Sequence, residues 1–586
     1  MPHPNTQPSP HDTYTSPLAA RNASPEMCRI WSPRHKFQTW RKIWLAVAEA
    51  QYEVTKDWDK PLVTPEQIEE LRANLEVTDD DLALAAKYEA ELRHDVMAHV
   101  HAWGDRCPKA RPIIHLGMTS QDVVCNADVA VLREAWSLLE TKLVRAIVSL
   151  SGTAEKSKQL PTLGFTHYQS AQPTTVGRRV ALWAYDLYYI HDERIEFGDT
   201  SLYRGFRGAT GTQASFLALF DDDTNTVDSF EGEAIHALLR AASGRHTPPP
   251  EEENHGDYWK RLFESKKYLD AAMSMFDKLE ASKDEVARAC DFTELEMSMF
   301  QSRWLGNRAH EKEIVDRYHQ QIENNRSFLS PTTFHLTGQT YPRVMDSLIL
   351  ADLASIAAVL HKIATDIRLL SNRKEIDEPF GKNQIGSSAM PYKRNPMKCE
   401  RICGLTRFVM NLVGNAYDTA ATQWLERTLD DSSNRRLSLP EAFLALDGAL
   451  DLMHQVASGL VVNEAMVRKN LMAELPFLAT ENIMMEAVKA GGDRQDLHEK
   501  IRVHAQAAGH RVKQEGLDND LIERLKADPA FKSVHHLLTE DQLLDPMKYV
   551  GRSVEQTERF LKEVVEPLRE RYGEELDKLG SSDRGV

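Results

Sequence analysis

The feature that most constrains the fold is a helical hydrophobic period sustained over tens of residues. From Lys36 to Glu53, the residues Phe37, Trp40, Ile43, Trp44, Val47, Ala48 and Tyr52 recur every three or four positions, the stripe of an amphipathic helix. Comparable stripes fill 125–158, 172–197, 344–372, 400–420 and 440–460. Alternating β-branched runs closed by Asn-Gly turns are nearly absent. Long amphipathic helices bury their stripes against one another, so the chain is expected to be all-α around a long central helical bundle. No internal repeat of fixed period is visible.

The 586 residues suffice for several domains. Three glycine-, proline- and hydroxyl-rich stretches interrupt the helical texture, at 204–213, 381–396 and 427–436, and such loops carry function more often than bundle helices do. The stretch 221–330 reads differently, with DDDTNTVD, TPPPEEENHGD and an aromatic face of Trp259, Phe263, Phe276, Phe300 and Trp304. Much of it is expected to be a peripheral inserted appendage, spanning about 228–312. From 463 onward the helices shorten, broken at Gly491–Gly492 and Gly516. The expected division is an N-terminal helical domain (1–119, with 1–15 disordered), a central bundle (120–462) and a C-terminal helical domain (463–586).

Lys and Arg total 71 and Asp and Glu 88, so the formal charge is 71 − 88 = −17. That balance argues against nucleic acid or an anionic membrane as partner, while leaving room for a small anion held by a few arginines. Six cysteines in a chain this long do not make a disulfide scaffold. No uncharged apolar run reaches 18 residues, and the N-terminus has neither an apolar core nor an early basic cluster. A cytoplasmic chain with reduced thiols is expected.

The strongest chemical constellation is the string Gly386 to Pro396, GSSAMPYKRNP. Gly386 permits unusual backbone angles, while Pro391 and Pro396 stiffen the ends. Ser387 and Ser388 offer hydroxyls, Lys393 a cation and Asn395 an amide, a set suited to holding a carboxylate and a developing oxyanion. His94, His99 and His101 beside Asp95 admit a metal-site reading, but the spacing matches no standard zinc motif. RGFRGATGTQ lacks the Lys-Ser/Thr of a phosphate-binding P-loop.

The eleven-residue string resembles the signature loop of the fumarase/aspartase lyase superfamily, and AMPYKRNP is most similar to the animal-type adenylosuccinate lyase family. SPLAARNASPEM (16–27), LRHDVMAHVHAWG (92–104), IIHLGMTSQDV (114–123), LPTLGFTHYQSAQPTTVGRR (160–179), ATGTQASF (209–216), LTGQTYPR (336–343), QWLERTLDDSSNRR (423–436) and AVKAGGDRQDLHEKIR (487–502) resemble the same family. The likeness covers most of 15–575 outside 221–330.

The resemblance implies a β-elimination that releases fumarate from adenylosuccinate, giving AMP, and from the succinyl-carboxamide imidazole ribotide (SAICAR), giving AICAR. It implies His167, beside Thr166, as general acid and Ser387 as general base, with His94, Lys393 and Glu400 in support. Arg93, His94, Asp95, Thr119, Ser120, Gln339, Asn395 and Arg401 match ligand-contacting positions. Arg427, Ser432 and Arg436 match the nucleotide-monophosphate end of the site, and Arg21 belongs with them; Asn22 stands where the family commonly carries Tyr. No metal or organic cofactor is implied. A homotetramer is, with each active site assembled from three chains. The alternatives are another lyase of the superfamily, such as an argininosuccinate lyase, a metal-dependent hydrolase built on the 94–101 histidines, and a non-catalytic scaffold. The phosphate-gripping arginines, chelator insensitivity and activity respectively separate these from the first reading.

Overall fold

A computed structural model describes residues 13–194, 202–242, 333–381, 383–539 and 545–579. The chain runs through α1 (Pro25–Ile30), α2 (Pro33–Thr55), α3 (Pro65–Ala73), α4 (Asp79–Leu92), α5 (Asp95–Arg106) and the long α6 (Ser120–Lys156). A hairpin follows, β1 (Pro161–Thr166) and β2 (Gln169–Thr175), then α7 (Val176–Arg194), α8 (Ala214–Leu219) and α9 (Thr224–Ala242). Next come α10 (Val344–Asn372), β3 (Ile376–Asp377), α11 (Met397–Ala421), α12 (Asp430–Ser458), β4 (Val461–Val462) and α13 (Glu464–Leu478), with shorter helices to the end. The all-α expectation holds, with two short antiparallel pairs, β1–β2 and β3–β4, added to it.

The residues form two compact units. One comprises Phe37–Asn126 and Arg204–His335; the other comprises Met1–Lys36, Ala127–Tyr203 and Leu336–Val586. In the first, the α2 stripe is buried as its period demands, with Trp40, Ile43, Trp44 and Val47 out of water. His99 stacks on Phe37 at 3.7 Å and meets Trp40 edge-on at 5.6 Å, while His101 lies 5.4 Å from the Tyr88 ring. Both histidines are committed to aromatic packing.

The expected appendage needs a correction where it starts. Residues 228–242 belong to α9, whose Phe230 stacks on Phe216 at 4.8 Å beside Phe206 and Phe220. This stretch is core of its unit, not peripheral. The rest of the expected appendage, the aromatic face from Trp259 to Trp304 included, lies outside the described residues, as does the start of the chain.

In the second unit, α10 buries Ile349, Leu353, Ile356, Leu360, Ile363 and Ile367 on one face. Each such side chain stabilises by about 1.5–3 kcal/mol relative to exposure. His361 bonds Thr406 at 3.0 Å and Thr365 approaches the Cys403 sulfur at 3.8 Å, so α10 and α11 run antiparallel. The Asn434–Asn415 bond of 3.0 Å folds α12 back on α11. Continuing that register brings Arg401 level with Gly448. By length and composition α10 is apolar enough to cross a membrane, yet half of its most apolar window is buried against neighbouring helices. It also carries Asp346, Asp352, Lys362, Asp366 and Arg368. A separate cluster around Leu497, Leu521, Leu525 and Phe531 organises the C-terminal helices.

The β1–β2 hairpin stands where the pattern predicts the first turn of a helix from 172. Pro161, Gly164 and Pro173 weaken any strand pattern. The turn uses His167 and Tyr168 where an Asn-Gly pair would advertise it.

Candidate active site

In the first unit, α4 ends on Arg93 in the left-handed conformation (φ 53°), which turns the chain so that His94 caps α5. His94 Nδ1 accepts the Met97 N–H at 3.3 Å. That leaves Nε2 carrying the proton, 3.4 Å from Ser120 Oγ. Two candidates 26 residues apart in sequence thus meet. Asp95 Oδ1 accepts the Val96 N–H at 2.8 Å. Thr119 leads into α6, its N–H donated to Asp122 Oδ2 at 2.7 Å.

Asp122 was not singled out by sequence, yet it organises this region. Fully buried, its Oδ1 accepts from the Arg204 guanidinium and from the N–H groups of Arg207 (2.9 Å) and Gly208 (3.1 Å). One carboxylate therefore ties the start of α6 to the glycine-rich 204–208 loop. His115 stands nearby at φ 70°, with Trp44 donating its indole N–H to Nδ1 at 3.1 Å. Burial pulls the His115 pKa down to about 4, with the neighbouring His94 acting in the same direction and Asp122 opposing them.

In the second unit, Thr166 and His167 sit at the tip of the β1–β2 hairpin, where Thr166 pairs with Gln169. His167 (φ 52°) and Tyr168 (φ 58°) both lie in the left-handed region, the pattern of a type I′ turn. Two non-glycine residues there cost about 1–2 kcal/mol each, strain of the kind that collects at functional sites. Packing holds the turn: the Phe165 ring lies under the Arg373 guanidinium at 4.8 Å and 5.7 Å from that of Arg179, and Tyr168 rests 5.8 Å from Phe165. The His167 ring stays exposed.

The 386–396 loop closes on itself. Asn395 Nδ2 donates to Gly386 O at 2.8 Å, Ser387 Oγ accepts the Met390 N–H at 3.1 Å, and Lys393 N–H meets Met390 O at 2.9 Å. A Cβ on Gly386 would lie 2.0 Å from Lys393 O, so glycine is required here. Asn395 and Gly386 are thus structural partners inside the loop, while Ser388, Lys393 and Glu400 face solvent. Glu378 accepts the N–H groups of Lys398 and Cys399, both at 3.0 Å, and fixes the start of α11 behind it.

Gln339 and Arg427 meet directly, with the Arg427 guanidinium donating to Gln339 Oε1 at 2.9 Å. Ser432 and Arg436 follow in the first two turns of α12, four apart and on one face. Arg21 does not join them within one chain. It rides on a π-turn, Leu18–Asn22, which lies against Gly448, roughly 24 Å further along α12 at ~1.5 Å per residue. Arg21 is instead close enough to Arg401 for its charge to be felt there. The Arg401 pKa is lowered by burial first and by the Arg21 charge second. Two guanidiniums near one another suit an anionic ligand that neutralises both.

A sequence profile described as "Lyase" matches residues 20–218 and 326–411, and one described as "Adenylosuccinate lyase C-terminus" matches 476–560. The adenylosuccinate lyase of Saccharomyces cerevisiae is 41% identical over 574 residues, 97% of this chain and 99% of that one. That of Schizosaccharomyces pombe is 42% identical over 557 residues, 95% of each chain. The chain belongs to the adenylosuccinate lyase family. The crystal structure of the 3-carboxy-cis,cis-muconate lactonizing enzyme from Pseudomonas putida shares the fold, with a TM-score of 0.67 at 21% identity over 94% of this chain and all of that one.

Seen as a family member, the chain hides one further set of residues from sequence reading. Arg435 is buried between Asp346 (2.5 Å), Asp128 (3.0 Å) and the Tyr341 hydroxyl, and Arg343 pairs with Asp431 at 2.7 Å. Both guanidiniums lie over the Tyr341 ring, at 5.2 and 4.5 Å. This network anchors the start of α12, from which Ser432 and Arg436 project and which Arg427 precedes by three residues. Its only sequence signal was the density of Arg and Asp in 427–436. Among the described residues no group of three or more His, Cys, Asp and Glu side chains is arranged to hold a metal ion.

Proposed function

We propose that the chain eliminates fumarate from adenylosuccinate to give AMP, and from SAICAR to give AICAR, in purine nucleotide synthesis. The observation that carries the substrate class is the 41% and 42% identity to two adenylosuccinate lyases over nearly the whole chain, and the nearby cations Arg21 and Arg401 suit the anionic ligand it implies. Ser387 takes the proton from the succinyl carbon beside a carboxylate, and the electrons gather on that carboxylate near Ser388 and Lys393. As the C–N bond breaks, His167 protonates the leaving nitrogen. Arg93, His94, Asp95, Thr119 and Ser120 hold the succinyl part, with Thr166, Asn395 and Glu400 around the reacting atoms. Gln339, Arg427, Ser432 and Arg436 hold the nucleotide with Arg21, and Asn22 flanks them. No cofactor enters these steps.

The working protein in this reading is a cytoplasmic homotetramer with shared sites and no nucleic-acid or membrane partner. Two features support it. Arg21 lies against the middle of α12 and the Arg427–Arg436 set at its start, so a single chain does not unite them. Trp424, Leu425, Leu429 and Leu437 are strongly exposed around the latter set, an apolar rim suited to a neighbouring copy. The three-part division at about 119 and 462 belongs to the same proposal.

Fumarate release in the presence of EDTA, from adenylosuccinate and argininosuccinate in parallel, tests the activity. Release from adenylosuccinate alone, lost in His167→Ala and Ser387→Ala, is the expected outcome. No release from either substrate by a well-folded assembly would sink the enzymatic reading.

A further inference from the structure

The residue expected to meet the nucleotide phosphate, Arg21, sits on a short π-turn with few contacts of its own. Asn22 Nδ2 donates back to Pro17 O at 2.9 Å and Ala23 N–H closes on Leu18 O at 2.8 Å. What locates the turn lies more than 400 residues away, in the middle of α12. Ser24 donates its backbone N–H to Asp447 Oδ2 at 2.5 Å and its hydroxyl to Asp447 Oδ1 at 3.1 Å. The same hydroxyl accepts the Met27 N–H at 3.1 Å and caps α1. Asp447 is fully buried and is fixed in turn by Lys142 at 2.5 Å, whose ammonium also reaches Asp451 at 3.0 Å. Next along the helix, Gly448 lets the main chain of Asn22 lie against α12: a Cβ there would come within 2.6 Å of Asn22 O and 2.9 Å of its carbonyl carbon.

Clamp and spacer thus occupy consecutive positions on one helix. Asp447 pulls the strap in through Ser24, and Gly448 sets how closely it lies. Arg401, on the neighbouring helix α11, is the second cation near the strap. We infer that Asp447 and Gly448 are positioning residues for Arg21, setting its distance from Arg401 and so the enzyme's affinity for the phosphate of its nucleotide. Neither touches the ligand. The inference rests on the reading of Arg21 as a phosphate ligand, and the test separates the two.

The probes are AMP and adenosine, which differ only in the phosphate, used as inhibitors of the full-length assembled enzyme. The variants are Gly448→Ala, Ser24→Ala, Arg21→Ala and the double variant Arg21→Ala/Gly448→Ala. Gly448→Ala is expected to weaken AMP ~10-fold, leave adenosine within ~2-fold and leave kcat within ~2-fold, since the misplaced contact is made equally in ground and transition states. Ser24→Ala, a milder change that deletes the hydroxyl's bonds to Asp447 and Met27 but keeps the backbone one, moves AMP the same way by ~3-fold, as the loss of the modest bond to Asp447 predicts. In the Arg21→Ala background the Gly448→Ala effect on AMP should vanish, as coupling through one contact requires. Equal weakening of AMP and adenosine, or an effect that persists without Arg21, would overturn the positioning role and leave a packing defect. If Arg21→Ala itself weakens AMP and adenosine alike, the phosphate reading of Arg21 fails, and the positioning proposal with it.

Discussion

Two histidines stand in the left-handed region of backbone space, one in each compact unit. His167 tips the β1–β2 hairpin at φ 52°, and His115 holds the turn before α6 at φ 70°. Their backbones bear similar strain, but their surroundings are opposite. His115 receives an indole N–H on Nδ1 and is held neutral down to about pH 4, chiefly by burial. The His167 ring is exposed, with Phe165, Arg373 and Arg179 gripping the strand behind it. Strain alone therefore does not mark a catalytic residue. What sets the proposed proton donor His167 apart is its access to ligand and solvent.

The same substitution in the two turns should break this symmetry most widely. Asparagine tolerates positive φ, so His→Asn removes an imidazole while sparing the turn. His167→Asn should lower kcat by ~10²–10⁴, the usual worth of a positioned acid, with an almost unchanged melting temperature. His115→Asn should do the reverse, costing about 2 kcal/mol of stability through lost packing and an unpaired indole N–H, with kcat changed far less. Fumarate assays beside thermal melts check both. Comparable losses of kcat in the two variants would end the distinction.

The next effect is read in pH. His115 has a folded pKa of about 4 against an ordinary 6.5. Below pH 6.5 the unfolded chain takes up a proton that the folded chain refuses. The stability this group contributes is complete above 6.5 and is lost as pH falls toward 4, at ~1.4 kcal/mol per pH unit. His191 and His454 are lowered to about 4 in the same way, burial being the main cause. Melting temperatures from pH 7.5 to 4.5 should thus decline, and His115→Asn should flatten about a third of that decline. His167→Asn should leave the slope as it is.

Other structural elements divide along the same line between what neighbours in sequence determine and what distant contacts determine. The helix at 344–372 was legible to the residue, because its period is carried by its own side chains and no glycine or proline blurs its ends. The hairpin at 161–175 was not, since Pro161, Gly164 and Pro173 interrupt its strands and its turn is held by Phe165 and two arginines, from α7 and the end of α10. Residues 228–242 looked like the edge of an appendage because an acidic run precedes them, but Phe230 ties them to Phe216. Among the candidate site residues, the motifs marked His94, Ser120, Gln339 and Arg427, and the structure brings them together in pairs. Asp122, Arg435 and Asp447 stayed hidden because their partners lie 82, 89 and 423 residues away. Gly448 was silent for a related reason: a glycine inside a helix acquires meaning only from the chain that packs on it. One practical consequence concerns the segment beyond α9. A deletion begun at 228 removes the Phe230 core and should yield insoluble protein, whereas one begun at 243 spares α9 and should not, which expression and gel filtration will show.

The smallest effect probes the His115 side of the comparison alone. Trp44 is buried, and its indole N–H is the donor that keeps His115 Nδ1 occupied. Trp44→Phe keeps most of the aromatic contact with Trp40 and Trp103 but removes that donor. The neutral imidazole then loses one hydrogen bond worth about 1 kcal/mol, whereas the protonated ring loses nothing, because its Nδ1 would carry a proton and repel the indole N–H. The His115 pKa should therefore rise by ~0.7 units, which is that energy divided by 1.36 kcal/mol per unit. In the melting profile the acid decline should stop at a correspondingly higher pH, with its upper end still at 6.5. An unmoved lower end would mean that desolvation alone keeps His115 neutral. The contrast with His167 would then be one of burial only, without the help of a specific partner.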